Sequence, residues 1–146
     1  MPEAGYSGTP LPRKLGIKPG HRLALVDAPA EVAAVLTPQL PVGVETSEGV
    51  GRGRTPFDVI LYFTDKRAAL ARQLPRLKQR LTPAGGLWLC WPKQASGVPT
   101  DLSDGVVRDL GLRAGLVDNK VCAVDQTWSG LRFVFHLADR PAAGTS

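Results

Sequence analysis

Apolar residues in this chain fall into short blocks divided by turn-forming residues, and the blocks alternate between two periods. Arg22-Leu23-Ala24-Leu25-Val26 and Phe57-Asp58-Val59-Ile60-Leu61-Tyr62-Phe63 are nearly continuous apolar runs, as expected of parallel strands covered on both faces. Leu87–Trp91 is a further run of this kind, stopped by Pro92. Between the last two, Leu70, Leu74, Leu77 and Leu81 recur at helical spacing. The pattern predicts a helix from Lys66 to about Leu81, with the leucines against a sheet and Arg72, Arg76 and Arg80 on the exposed face. Pro75 lies inside that helix and is expected to kink or restart it.

The weaker signals complete an alternation of strands and helices. Thr9-Pro10 predicts a helix start, Thr as cap and Pro in the first turn, with Leu11, Leu15 and Ile17 as an apolar stripe. Asp27-Ala28-Pro29 turns the chain into a short helix over Ala30–Leu36. Val42-Gly43-Val44-Glu45-Thr46 reads as a second strand near the sheet edge. Thr100 or Asp101 is expected to cap a helix running toward Leu116, with Val106, Val107, Leu110 and Leu112 as buried contacts. Val121–Asp125 and Leu131–Leu137 flank Thr127-Trp128-Ser129-Gly130 and read as a closing hairpin. The fold class is therefore α/β: a Rossmann-like three-layer sandwich with a mostly parallel sheet and an antiparallel C-terminal hairpin strand. The domain organisation is a flexible arm over 1–8, a single domain over 9–137 and a flexible tail over 138–146.

Size and composition narrow the classes. A chain of 146 residues, 43% hydrophobic and 21% charged, suits one globular core without crosslinks. No apolar run reaches the ~20 residues needed to span a bilayer, and the N-terminus lacks the pattern of a signal peptide. No membrane association and a cytoplasmic location are the expectations. Two cysteines, Cys90 and Cys122, are too few for a disulfide framework and read as small buried hydrophobes in strands. His21 and His136 have no metal-ligand spacing, so no metal site is expected. The net charge of +5 is uneven: Lys66 to Thr100 contains no Asp or Glu but seven basic residues, Lys66, Arg67, Arg72, Arg76, Lys78, Arg80 and Lys93. Nucleic acid is thus an alternative partner.

Several short segments resemble class I methyltransferases. Leu15-Gly16-Ile17-Lys18-Pro19-Gly20 is similar to the lead into their first strand, and Phe57-Asp58-Val59-Ile60 to their fourth. Leu81-Thr82-Pro83-Ala84-Gly85-Gly86-Leu87-Trp88 is similar to the loop and strand that follow. A second resemblance, over nearly the whole chain, is to a bacterial family known as domain of unknown function 3052. It rests on Gly5-Tyr6-Ser7, Lys14–Lys18, Trp91-Pro92-Lys93, Thr100-Asp101 and the run from Lys120 to Leu131. It implies the fold and carries no activity.

The chemistry a methyltransferase needs is altered. Glycines are expected straight after strand one, where backbone meets cofactor, but this chain has Asp27-Ala28-Pro29-Ala30-Glu31. Glu45 or Glu48 is the candidate acidic residue for ribose hydroxyls. Gly49, Gly51 and Gly53 precede a strand rather than a helix, so that string reads as a loop and not as a phosphate cradle. No cofactor is predicted. The leading expectation is a binding or interaction module rather than an enzyme, one that meets a protein or a small anionic or planar ligand. The alternatives are a small S-adenosylmethionine-dependent methyltransferase with a modified pocket and a basic nucleic-acid-associated protein. Ligands of open α/β sheets sit beyond the carboxyl ends of the strands. On that rule the candidate ligand-binding rim is Asp27, Thr64, Asp65, Lys93, Asp125, Thr127 and Trp128, with no catalytic residue assigned.

Overall fold

The structure, a computed structural model, describes residues 9–136. The expected arm over 1–8 and tail over 138–146 lie outside the described residues. The long apolar runs become central strands. In chain order the strands are β1 (Arg22–Val26), β2 (Glu45–Glu48), β3 (Phe57–Phe63), β4 (Leu81–Pro92), β5 (Leu116–Ala123) and β6 (Trp128–Phe135). The helices are α1 (Leu11–Lys14), α2 (Ala30–Leu36), α3 (Arg67–Gln79) and α4 (Asp104–Arg113). The six strands form one sheet in the order β2-β1-β3-β4-β6-β5. The first four in that order are parallel, β6 is antiparallel to both neighbours, and β5 therefore runs the same way as β4.

Each face of the sheet has its own core. On one side Leu70, Leu74 and Leu77 of α3 and Val107 of α4 pack on Ile60, Tyr62, Leu87, Leu89 and Phe133. On the other, Leu15 and Ile17, just after α1, and Val32 and Leu36 of α2 pack on Leu61, Phe63, Trp88 and Cys90. Gly111 of α4 is where helix and sheet approach closest: a Cβ there would lie 2.1 Å from the Phe133 ring.

Several boundaries differ from the sequence reading. Pro10, not Thr9, occupies the cap position of α1. The second strand starts at Glu45, because Val42-Gly43 make a turn that leaves Val42 83% exposed. Strand β4 begins at Leu81, six residues early, and its pairing with β3 shifts register between Phe57 and Val59. Helix α3 runs through Pro75 without a break. The cap of α4 is Ser103, whose hydroxyl accepts from the Val106 amide. Thr100 and Asp101 serve elsewhere: the Asp101 carboxylate accepts from the Arg67 amide at 2.7 Å and so caps α3 across the sequence. Leu112 is exposed rather than buried. The hairpin turn falls at 124–127, so Trp128 is already in β6.

The largest departure is Arg80. It is 8% exposed, not part of the solvent face. Its guanidinium donates to the carbonyls of Gly51 and Thr55, and its Cζ lies 5.5 Å from the centre of the Phe57 ring. Arg76, still exposed, donates to the same Gly51 carbonyl. Arg80 thus anchors the glycine-rich loop that the sequence leaves unplaced.

Urea unfolding of four single variants checks these contacts. Leu74→Ala should lower stability by about 2–5 kcal/mol, as for other buried leucines. Arg80→Ala should lower it by about 2–4 kcal/mol, because it leaves the Thr55 carbonyl without its charged donor and the Gly51 carbonyl with Arg76 alone. Arg76→Ala should cost under about 1 kcal/mol. Equal losses at 76 and 80 would show that Arg80 does not anchor the loop. Gly111→Ala should cost about 1–3 kcal/mol through overpacking against Phe133, and an unchanged midpoint would contradict the packing of α4.

Candidate functional site

All seven rim residues of the sequence reading lie at or just beyond the carboxyl ends of strands, except Trp128, which opens the antiparallel β6 at the same end of the sheet. They divide into three groups.

The hairpin group is Lys93, Asp125, Thr127 and Trp128. The backbone brings them together: Pro92 pairs with Trp128, and the Lys93 amide donates to the Thr127 carbonyl at 2.8 Å. Asp125 is committed to the turn. One carboxylate oxygen accepts from the amides of Thr127 and Trp128 at 2.8 and 2.7 Å. Trp128 is half-buried and meets Phe63 edge-on, ring centres 5.3 Å apart at 83°. Gly130 does not turn the chain there. It is a buried strand residue beneath Trp88 and Cys90. Lys93 is half-exposed, makes no ion pair with the described residues, and is followed by a short 3-10 turn, Gln94–Ser96, that ties back to its carbonyl.

The second group surrounds the switch between β1 and β3. Asp27 has φ +56°, the one left-handed non-glycine residue among those described. Asp is among the few side chains that tolerate this conformation. Thr64 follows β3, and its hydroxyl accepts from the Lys66 amide at 3.2 Å while acting on Tyr62, a residue the sequence reading passed over as core. Burial pushes the Tyr62 phenol above its ordinary value; the Thr64 bond and Arg72 oppose that, and Asp27 adds to it. Tyr62 is thus a neutral hydroxyl held under the rim. Its position at the end of an apolar strand was the available signal.

The third group centres on Asp65. A cavity of about 320 Å³ opens between Asp65, Lys66, Thr100 and Asp101. Its polar groups are engaged internally. The Thr100 hydroxyl donates to the Asp65 carbonyl, Lys66 lies 3.9 Å from the Asp65 carboxylate, and Asp101 caps α3. Neither Asp27 nor Asp65 caps a helix through its side chain.

The remaining candidates are scaffold. Cys90 and Cys122 are free and buried, and burial pushes both thiols up, Cys90 strongly, so neither is a poised thiolate. His21 accepts from the Lys18 amide through Nδ1. Among the described residues no group of three or more His, Cys, Asp or Glu side chains could hold a metal ion. None of their helices is long and apolar enough to cross a membrane.

An S-adenosylmethionine site would lie at the carboxyl ends of β1 and β2, and the residues there do not fit it well. Asp27 places a carboxylate where bare backbone is needed. Ala28 packs on the core, and Pro29, at the cap position of α2, has no N–H to donate. Glu45 starts β2 and pairs with Arg22 at 3.9 Å, at the wrong end of the strand. Glu48, exposed at the correct end, is the one acidic residue so placed.

No protein-family model and no curated protein matches the chain. Solved structures do. An S-adenosylmethionine-dependent methyltransferase from Aquifex aeolicus superposes with a TM-score of 0.61 at 15% identity, covering 83% of this chain and 85% of that one. Ribosomal protein L11 methylase from Lactobacillus delbrueckii subsp. bulgaricus gives 0.57 at 13% identity, covering 86% and 75%. A TehB-like S-adenosylmethionine-dependent methyltransferase from Corynebacterium glutamicum gives 0.52 at 12%, covering 91% of both chains. At such identities the likeness is one of fold: the chain has the Rossmann-like architecture of these methyltransferases.

Proposed function

We propose that the chain is a binding module built on the methyltransferase framework, contacting a protein or small anionic or planar ligand at the rim beside Lys93 and the β5–β6 turn. The observation that carries this reading is the segment after β1, where Asp27, Ala28 and Pro29 replace the open backbone that a nucleotide cofactor needs.

Lys93 supplies the charge in this reading. Its neighbours Trp91 and Pro92 are buried, which fixes the direction in which the chain leaves β4. Asp125 holds the turn and Trp128 braces it from below against Phe63. A second reading, an enzyme with a modified cofactor pocket, is favoured by Glu48, which ends β2 where ribose hydroxyls would be met.

Isothermal titration with S-adenosylmethionine separates the two. The binding-module reading expects no affinity of micromolar or better, ~8 kcal/mol; such affinity would overturn it in favour of the second. Native mass spectrometry of protein purified from its own host then compares wild type with Lys93→Glu. A ligand or partner retained by wild type and lost from Lys93→Glu, at an unchanged unfolding midpoint, is the expected result. Equal retention by both would remove Lys93 from the site. Trp128→Ala should lower stability by roughly 2–3 kcal/mol, less than a fully buried tryptophan; no loss would mean that the indole does not brace the turn.

A further inference from the structure

Strand β5 carries a bulge. Asp118 pairs with Phe133 and Lys120 with Arg132, so Asn119 is the extra residue. Residues two apart on a strand normally share a face. Here they do not. Asp118 lies on the α4 side, where its carboxylate accepts from Arg108 Nε at 2.9 Å. Lys120 has been turned to the α1 side, in line with Cys122 and Val124, which belong to that core. Bulges at sheet edges re-aim side chains in this way, at a loss of ladder bonding.

What Lys120 is aimed at is more positive charge. Its cross-strand partner is Arg132, and like charges directly opposite are destabilising. The Arg132 guanidinium lies against Gly86, where a Cβ would be 2.3 Å from Nε, so that glycine keeps room for it. Burial lowers the Arg132 pKa, with no opposing carboxylate among the described residues. Next to this pair a cavity of about 380 Å³ opens between α1 and β5, lined by Thr9, Arg13, Lys14, Lys120 and Cys122 among others. Lys14 and Lys120 line it together with Cys122, whose thiol their charges favour in the ionised form against the larger upward push of burial. No carboxylate lines the cavity among the described residues. The two carboxylates of β5 and its turn are already used, Asp118 by Arg108 and Asp125 by turn amides.

We propose that this groove between α1 and β5 is a binding site for a small phosphate-bearing molecule, held by Arg13 and Lys120 with Arg132 strengthening the field behind them. The cavity lies in the size range of small-molecule pockets. A guanidinium fork on the α1 wall and an ammonium on the β5 wall match a dianion with three acceptor oxygens better than a single carboxylate. The site is separate from the Lys93 rim and does not depend on the reading given for it.

The test is an amide NMR titration of the full chain with inorganic phosphate at constant ionic strength and low chloride. Saturable shifts at Arg13, Lys120 and Cys122 are expected in the millimolar range or tighter. Lys120→Ala and Arg13→Ala should each weaken the saturation by about tenfold, and Arg76→Ala, anchored to the distant glycine loop, should leave it unchanged. Shifts that chloride reproduces equally, or that survive both substitutions, would overturn the proposal. Saturation by a short oligonucleotide but not by phosphate would overturn it in favour of a polyanion surface.

Discussion

Trp88 is the residue on which the α1-side layer depends. It is fully buried in β4, the strand that is parallel to one neighbour and antiparallel to the other. A buried indole N–H must find an acceptor, and this one donates to the Leu15 carbonyl at 2.9 Å, across 73 residues of sequence. That bond fixes the segment following α1 against the sheet. The same ring sets terms for its neighbours. A Cβ at Gly130 would come within 3.1 Å of it, so β6 must be bare there. With Gly130 bare, Cys90 and Cys122, which both pair with it, fill the space on either side. The hairpin can close over β4 only because this row is small.

The rim shows how polar residues at strand ends divide between scaffold and surface. Asp125, Thr100 and Asp101 are the kinds of residue that suggest a site, yet Thr100 and Asp101 hold one segment to another and Asp125 holds its own turn. Buried or half-buried backbone amides need partners, and in loops without regular pairing short polar side chains supply them. What is left over is more informative. Lys93 has no ion pair among the described residues, and Asp27 keeps a left-handed backbone that glycine would adopt without strain. Retaining a side chain at that position, at the head of the loop after β1, sets this chain apart from a plain copy of the methyltransferase framework.

The sequence made the central strands and α3 legible because their burial is one- or two-sided and periodic. Phe57–Phe63 and Leu70, Leu74 and Leu77 needed no tertiary information. Arg80 did. It follows Arg72 and Arg76 at helical spacing, but the helix ends at Gln79 and the chain enters β4, so periodicity stops applying one residue before it. Leu112 failed for the complementary reason: α4 is ten residues long and its buried stripe is only Val107 and Gly111, flanked by Val106 and Leu110. A glycine at the tightest contact is invisible to a search for apolar residues. The hairpin was found but misplaced, because Trp128 and Gly130 look like turn residues until the pairing of Pro92 with Trp128 is known. The convergence of Lys93 with Asp125, Thr127 and Trp128 was legible from topology alone, since it needs only that β4 and β5 run the same way.

The groove between α1 and β5 could not be read from sequence, and the reason is physical. Alternation along β5 puts Asp118 and Lys120 on one face, where they would neutralise each other. A single unpaired residue, Asn119, reverses that parity and separates the charges onto opposite faces of the sheet. Asp118 gains Arg108 as a partner, whereas Lys120 meets Arg132. The separation therefore concentrates positive potential at one edge and removes the nearest negative charge from it. Focusing of this kind raises the local concentration of anions well before any contact is made. It also explains why net charge alone was a poor guide. The longest acid-free stretch, from Lys66 to Thr100, directs Arg76, Lys78 and Arg80 onto backbone carbonyls of neighbouring segments. Arg13, Lys120 and Arg132, which have no carbonyl or carboxylate partner among the described residues, come from three separate segments and are brought to one side of the sheet only by folding.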